Sequence, residues 1–264
     1  MIRVVFIVLI LFQTQSFARD WNKYYKLVNS DIKSVEALNS RDLGLKVRLF
    51  ELYGEKLSLL IEKERDYRIK FLETGSNKSL NKLVKLQELT LKKLDRLGAK
   101  IERETKDRKI VTKVNYYRAL NYLSTKQDKK FFFYMKKAEK TNRDPKIGYQ
   151  INTKLANYYY NELNYKAASF YYKKLLNDEK SPWLSKHYYN LAWSELKLDR
   201  YKNALEYLKK SHFYEKQSGY YKIGSQLVDA LLLFHAYAQQ TPEGLEYFKS
   251  HNLDNFDNYL KTIN

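Results

Sequence analysis

The sequence has no cysteine, three prolines and eight glycines in 264 residues. Without cysteine there can be no disulfide framework, no thiol nucleophile and no lipid attached through a cysteine. An apolar core must therefore hold the fold together. Few prolines and glycines mean few tight turns, which argues against a β-rich chain and for helices. After residue 12 no apolar run is long enough to cross a bilayer, which takes about 20 residues.

The start of the chain has a distinct order. Met1-Ile2-Arg3 is basic, Val4 to Phe12 is unbroken apolar, and Gln13 to Ala18 is polar, ending in Ser16-Phe17-Ala18. Such an order predicts a secretory signal peptide cut between Ala18 and Arg19. The alternative is an uncleaved anchor. Export would place the protein in the periplasm or outside the cell.

Lysine and arginine number 49 against 30 acidic residues, and there are 25 tyrosines. A net charge of +19 favours acidic partners. Because the charges are mixed along every predicted helix, a lysine-rich solvated surface explains the excess equally well.

Three zones follow the signal. From Asp20 to about Thr74, Leu45, Leu49, Leu52, Tyr53, Leu60, Tyr67 and Phe71 recur at helical spacing, with Ser40 as a candidate N-cap. Gly75-Ser76-Asn77 reads as a stop. From Ser79 to about Val111, Leu80, Leu83, Val84, Leu91, Leu94, Leu97 and Ile101 form a stripe amid charge. Gln87 and Gly98 interrupt a regular heptad there, so an amphipathic helix packed on neighbours fits better than a coiled coil. Residues 82–113 hold eleven basic and five acidic side chains.

The third zone repeats itself. Leu155-Ala156 overlays Leu191-Ala192, Tyr165 overlays Tyr201, Ala168 overlays Ala204 and Lys173-Lys174 overlays Lys209-Lys210, at a period of 36 residues. A period of this size with helical patterning signifies a stacked array. Tyr188, Leu191, Ala192, Tyr201, Ala204 and Leu208 resemble the tetratricopeptide repeat, as do Leu155, Ala156, Tyr159, Tyr165, Ala168 and Tyr172. Weaker copies carry Tyr116, Ala119, Met135, Ala138 and Pro145 before, and Leu231, Leu232, Gly244 and Phe248 after. Phe131 stands where the first of these copies should have a small residue. Phe50, Tyr53, Gly54 and Leu57 have the spacing of a still earlier repeat helix.

The resemblance implies an all-α solenoid of stacked helical hairpins. Its expected divisions are the signal over 1–18, a charged helical region over 19–111, repeats over 112–250 and a tail or capping helix over 251–264. The layout is similar to that of bacterial envelope scaffolds. It implies a non-catalytic role in binding other proteins, with no cofactor.

A search for chemistry agrees. His187, His212, His235 and His251 form no H-x-x-x-H pair and lie beside no spaced carboxylates. His235 sits in an apolar run and reads as a core residue. No phosphate loop, dinucleotide fingerprint or nucleophile elbow is present. No small-molecule substrate is evident. Nucleic acid is disfavoured because RNA modules carry their aromatics on sheets.

The resemblance also assigns a partner-binding groove to the inner helix of each repeat: Tyr116 with Leu120, then Thr153, Asn157 and Tyr160, then Lys186, Tyr189, Trp193 and Lys197. Aromatic anchors beside lysines suit a peptide bearing acidic residues. Tyr189 and Trp193 fit equally well as core between repeats. The family's carboxylate clamp is incomplete, with Thr153 in place of a lysine and Asn190 in place of a basic residue. A second functional reading is a polyanion binder acting on anionic lipid, wall polymer or nucleic acid through 82–113. The mature protein is expected to begin at Arg19 and to fractionate with the soluble envelope. Intact mass retaining 1–18 in a membrane pellet would instead indicate an anchored chain.

Overall fold

A computed structural model describes residues 21–38, 41–74 and 78–253. Ala18, Arg19, Ser40, the 75–77 stop and the tail beyond 253 lie outside these. Among the described residues there are eleven helices and no strand. They are α1 (Trp21–Ala37), α2 (Leu43–Thr74), α3 (Lys78–Glu104), α4 (Arg108–Ser124), α5 (Asp128–Thr141), α6 (Pro145–Asn161), α7 (Tyr165–Leu175), α8 (Leu184–Leu196), α9 (Tyr201–Lys216), α10 (Ser225–Tyr237) and α11 (Thr241–Ser250). Helices adjacent in sequence pack on one another in succession, as in a solenoid-like all-α fold. No described helix is long and apolar enough to cross a membrane. The chain forms two compact units, 1–134 and 135–264, and the division falls within α5.

In the first unit, α2 packs on α1 and along α3, and α4 on both α2 and α3. The first zone is thus two helices, and the break between them starts α2 with a cap. Asp42 Oδ1 accepts from the Leu45 N–H at 2.8 Å, satisfying a donor that helix geometry leaves free. The second zone is one helix, α3. Its two heptad interruptions have structural reasons. Gln87 is buried and donates to the Leu60 carbonyl at 3.1 Å and to Glu64 at 2.7 Å. Gly98 makes room for Arg118, because a Cβ there would lie 2.8 Å from Arg118 Cδ and 3.2 Å from the Phe50 ring. Arg118 is buried against Asp95 at 3.0 Å and Glu102 at 3.2 Å, with its guanidinium 3.9 Å from the Tyr134 ring centre. Gly54, by contrast, has nothing within 4 Å of its Cβ position, so no close helix approach depends on it.

In the second unit, α6 pairs with α7, α8 with α9 and α10 with α11. Ala156, Ala168, Ala192 and Ala204 are wholly buried, as are Leu155, Leu191 and Leu208. These are the positions that the 36-residue overlay brings into register. Gly244 keeps a small position for a stated reason: a Cβ there would meet His235 at 3.0 Å. The weaker copy across α4 and α5 buries Ala119, Phe131, Met135 and Ala138.

The turns inside the hairpins follow one pattern. Lys126, Leu163, Asp199 and Gln239, all non-glycine, adopt φ of 56°, 58°, 58° and 56°. In each case the next N–H bonds back to the fifth residue before it: Gln127 to Tyr122, Asn164 to Tyr159, Arg200 to Glu195 and Gln240 to His235, at 2.9–3.1 Å. This left-handed closure satisfies carbonyls that the helix end leaves free, and glycine normally fills it. Leu163 is 70% exposed, so its side chain offsets little of the ~1 kcal/mol cost of that conformation. Leu163→Gly should raise stability by ~0.5–1 kcal/mol in a urea or thermal melt. A lower midpoint would show that the leucine contributes packing.

Candidate functional site

The nine groove positions fall into both units, with Tyr116 and Leu120 on α4 in the first. Tyr116, on α4 in the first unit, is 7% exposed, and burial pushes its phenol up to about 12. It contacts Tyr117 edge-on at 5.6 Å. A side chain so covered contributes packing. The seven from Thr153 to Lys197 are on α6 and α8 in the second unit, and Lys197 is the residue that ends α8.

Asn157 is exposed and accepts from the Tyr172 hydroxyl at 2.8 Å. Tyr160 is half-buried and meets Tyr165 edge-on at 5.4 Å. Tyr189 and Trp193 are also half-buried, 6.2 Å apart in a T-shaped pair. Both pack against the cluster of Ala192, Leu205, Leu227, Leu231, Phe234 and Phe248. The Trp193 ring stands at 85° to Phe234, 5.1 Å between centroids, and its indole nitrogen is buried without an acceptor. Groove and core readings therefore meet in one residue, whose ring has one edge in the core and another at the surface. Lys186 lies 4.9 Å over Tyr221 and 5.7 Å over Trp183. Lys197 is exposed.

Two members of this face were missed by the 36-residue spacing. Ala204 and Gly244 are 40 residues apart, because α9 has 16 residues where α7 has 11. Shifted by 40, Trp193 corresponds to Leu233 and Lys197 to Tyr237, which are 36% and 49% exposed. Tyr237 stacks on Tyr201 at 5.4 Å.

The electrostatics of the face are one-sided. Helix α6 contains no acidic residue, and α8 contains only Glu195. Glu195 is completely buried and held by Lys173 at 2.8 Å, Arg200 at 3.3 Å and the Ser169 hydroxyl. Burial alone would raise its carboxyl, but these bonds outweigh that and keep it below the usual carboxylate range. What α6 and α8 show to solvent is thus neutral or positive.

Three of the four histidines are buried in contacts within the fold. His235 is buried, with Nδ1 3.2 Å from the Gln240 carbonyl. His187 is buried beside Tyr149, whose hydroxyl contacts both the His187 ring and Ser181 Oγ, the latter at 2.7 Å. His212 Nδ1 is 2.7 Å from the Tyr247 hydroxyl. Among the described residues no group of three or more His, Asp or Glu is placed to hold a metal ion. In the basic stretch 82–113, Lys93 pairs with Glu36 at 3.8 Å and Lys113 with Glu51 at 2.6 Å. Part of its charge is therefore spent inside the first unit.

No protein-family description matches the sequence, and no curated protein matches it. Among solved structures, the crystal structure of BtubC (BKLC) from P. vanneervenii is similar, with a TM-score of 0.56 and 15% identity, covering 86% of this chain and 87% of that one. At that identity the similarity shows a shared helical fold and nothing further.

Burial drives the rings of His187 and His212 down to about 4. Unfolded, each would titrate near 6.5. Between those values the unfolded chain binds more protons, so stability is full above pH ~6.5 and falls as pH drops towards 4. The expected slope is at most ~1.4 kcal/mol per pH unit for each ring. Urea melts from pH 7.5 to 4.5 check this, and His187→Gln should flatten the slope. A stability independent of pH over that window would contradict neutral burial of both rings.

Proposed function

We propose that the chain is an exported, non-catalytic scaffold of the tetratricopeptide type, working in the periplasm or bacterial envelope. On this reading the inner helices of the second unit hold a segment of a partner protein that carries acidic residues. One observation carries the proposal: α6 and α8 expose lysines and half-buried aromatics but no carboxylate, because their single glutamate is buried and neutralised. Aromatics supply apolar area to cover, and unopposed ammonium groups attract and orient an acidic segment. Leu233 and Tyr237 extend the apolar part onto α10. The repeat resemblance and the apolar segment at residues 4–12 support the family and the compartment in this proposal.

The test separates charge from packing. Lys186→Glu with Lys197→Glu reverses two charges and removes the Lys186 ammonium from the Trp183 and Tyr221 rings, so its melt should stay within ~1.5 kcal/mol of wild type. The same double variant should lose most of the partner recovered from a native envelope extract. Trp193→Ala removes a half-buried ring and should cost ~2–3 kcal/mol of stability, with partner loss in proportion. Full partner recovery by the folded charge-reversal protein would overturn the assignment of the face.

A further inference from the structure

Three exposed phenylalanines share a setting. Phe133, Phe170 and Phe213 are 56%, 54% and 63% exposed and lie on α5, α7 and α9, the second helices of their hairpins. Each meets the tyrosine that follows it edge-on, at 5.0, 5.2 and 5.4 Å. Each is also ringed by lysines three and four residues away, the positions that share a helix face. Around Phe133 these are Lys129, Lys130, Lys136 and Lys137; around Phe170, Lys166, Lys173 and Lys174; around Phe213, Lys209, Lys210 and Lys216.

In the second unit the pattern can be followed in detail. Helix α7 has no acidic residue. Phe170 and Phe213 project from the sides of α7 and α9 away from the buried Ala168 and Ala204. The Lys174 ammonium stands 4.4 Å over the Phe170 ring. Lys173 is tied to Glu195 and Lys209 to Glu206. Lys166, Lys210 and Lys216 pair with no carboxylate among the described residues, and each is exposed. Lys173 also lies 5.8 Å over the Tyr207 ring of α9, so the two helices are neighbours.

A lone exposed phenylalanine needs no explanation. Two on neighbouring second helices of one unit, Phe170 and Phe213, each with exposed lysines that pair with no carboxylate, combine two demands: an apolar ring seeking cover and cations seeking anions. A free polyanion meets only the second. An anionic bilayer meets both, because rings enter the boundary between headgroups and acyl chains while ammonium groups meet the phosphates. We propose that α7 and α9 dock on an anionic phospholipid surface through Phe170 and Phe213, with Lys166, Lys210 and Lys216 on the headgroups. This docking is independent of the inner face assigned to the partner protein.

The test is flotation of the full chain with phosphatidylcholine vesicles, pure or containing about a third phosphatidylglycerol. Wild type should float with the anionic vesicles and far less with the neutral ones. Phe170→Ser with Phe213→Ser should weaken binding about tenfold or more while leaving the melt unchanged. Lys166→Gln, Lys210→Gln and Lys216→Gln together should weaken it by a similar factor. Failure to float with anionic vesicles would overturn the proposal. So would equal binding by the phenylalanine variant, since charge alone would then suffice. Polyphosphate or DNA retained equally by wild type and the phenylalanine variant, with no flotation, would assign the lysines to a soluble polyanion instead.

Discussion

A single buried carboxylate fixes the geometry of the second unit. Glu195 sits on α8 with no exposure, and its partners come from two directions. Ser169 and Lys173 belong to α7, the helix before it, and Arg200 to the turn just after it. One side chain thereby sets both the packing of α8 on the preceding hairpin and the closure of its own. Removing both Lys173 and Arg200 would leave a buried charge uncompensated, which costs far more than a surface pair is worth, whereas loss of either alone leaves the carboxylate one counter-charge. Arg118 does the same work in the first unit with the sign reversed, drawing Asp95 and Glu102 of α3 onto α4.

These charged pins act within a frame set by small residues and turns. Where Ala156, Ala168, Ala192 and Ala204 are buried, helix backbones approach and leucines fill the space between. Overpacking such a position typically costs ~1–3 kcal/mol, so the small residues define which helices can be neighbours. The repeated left-handed closure at Lys126, Leu163, Asp199 and Gln239 then reverses the chain at each hairpin. Side chains on the first helices are left to face one way and those on the second helices another. Two chemically different surfaces follow from one packing scheme: aromatics with lysines on α6 and α8, and phenylalanines ringed by lysines on α7 and α9.

The repeat core was readable from the sequence because it rests on local periodicity. Leu155-Ala156 and Leu191-Ala192 mark the same helix face a fixed distance apart, and both pairs are buried. What lies between elements was harder to read. Helix α1 carries its apolar residues among many polar ones, so the pattern marks it as part of a helical region but shows neither its end at Ala37 nor the cap at Asp42. The break at 105–107 depends on Asp107 accepting from the Lys109 N–H at 2.8 Å, a short-range bond with no periodic trace. The hairpin turns use lysine, leucine, aspartate and glutamine where glycine would have announced them. In the candidate site, Leu233 and Tyr237 are hidden from a fixed register by the change of spacing from 36 to 40. Tyr116 shows the limit of register arguments. It occupies a groove position in the pattern and is nevertheless covered, because exposure depends on what packs above a position and not on its place in the repeat.

Trp193 links the two levels of the structure. Its ring touches Phe234 in the core, while its half-exposed edge lies on the face proposed for the partner. Its indole N–H is buried without an acceptor, an arrangement that costs stability. The hairpin that carries it is held at both ends: Ser185 Oγ donates to the Tyr221 carbonyl at 2.6 Å and Arg200 grips Glu195. A face so fixed loses little freedom when it is covered, and that lowers the entropy cost of association. A partner that covered the exposed edge of Trp193 would bury area that the core leaves open. Binding and folding would then draw on the same apolar contact, so occupancy of the inner face would also stabilise the α8–α10 packing beneath it.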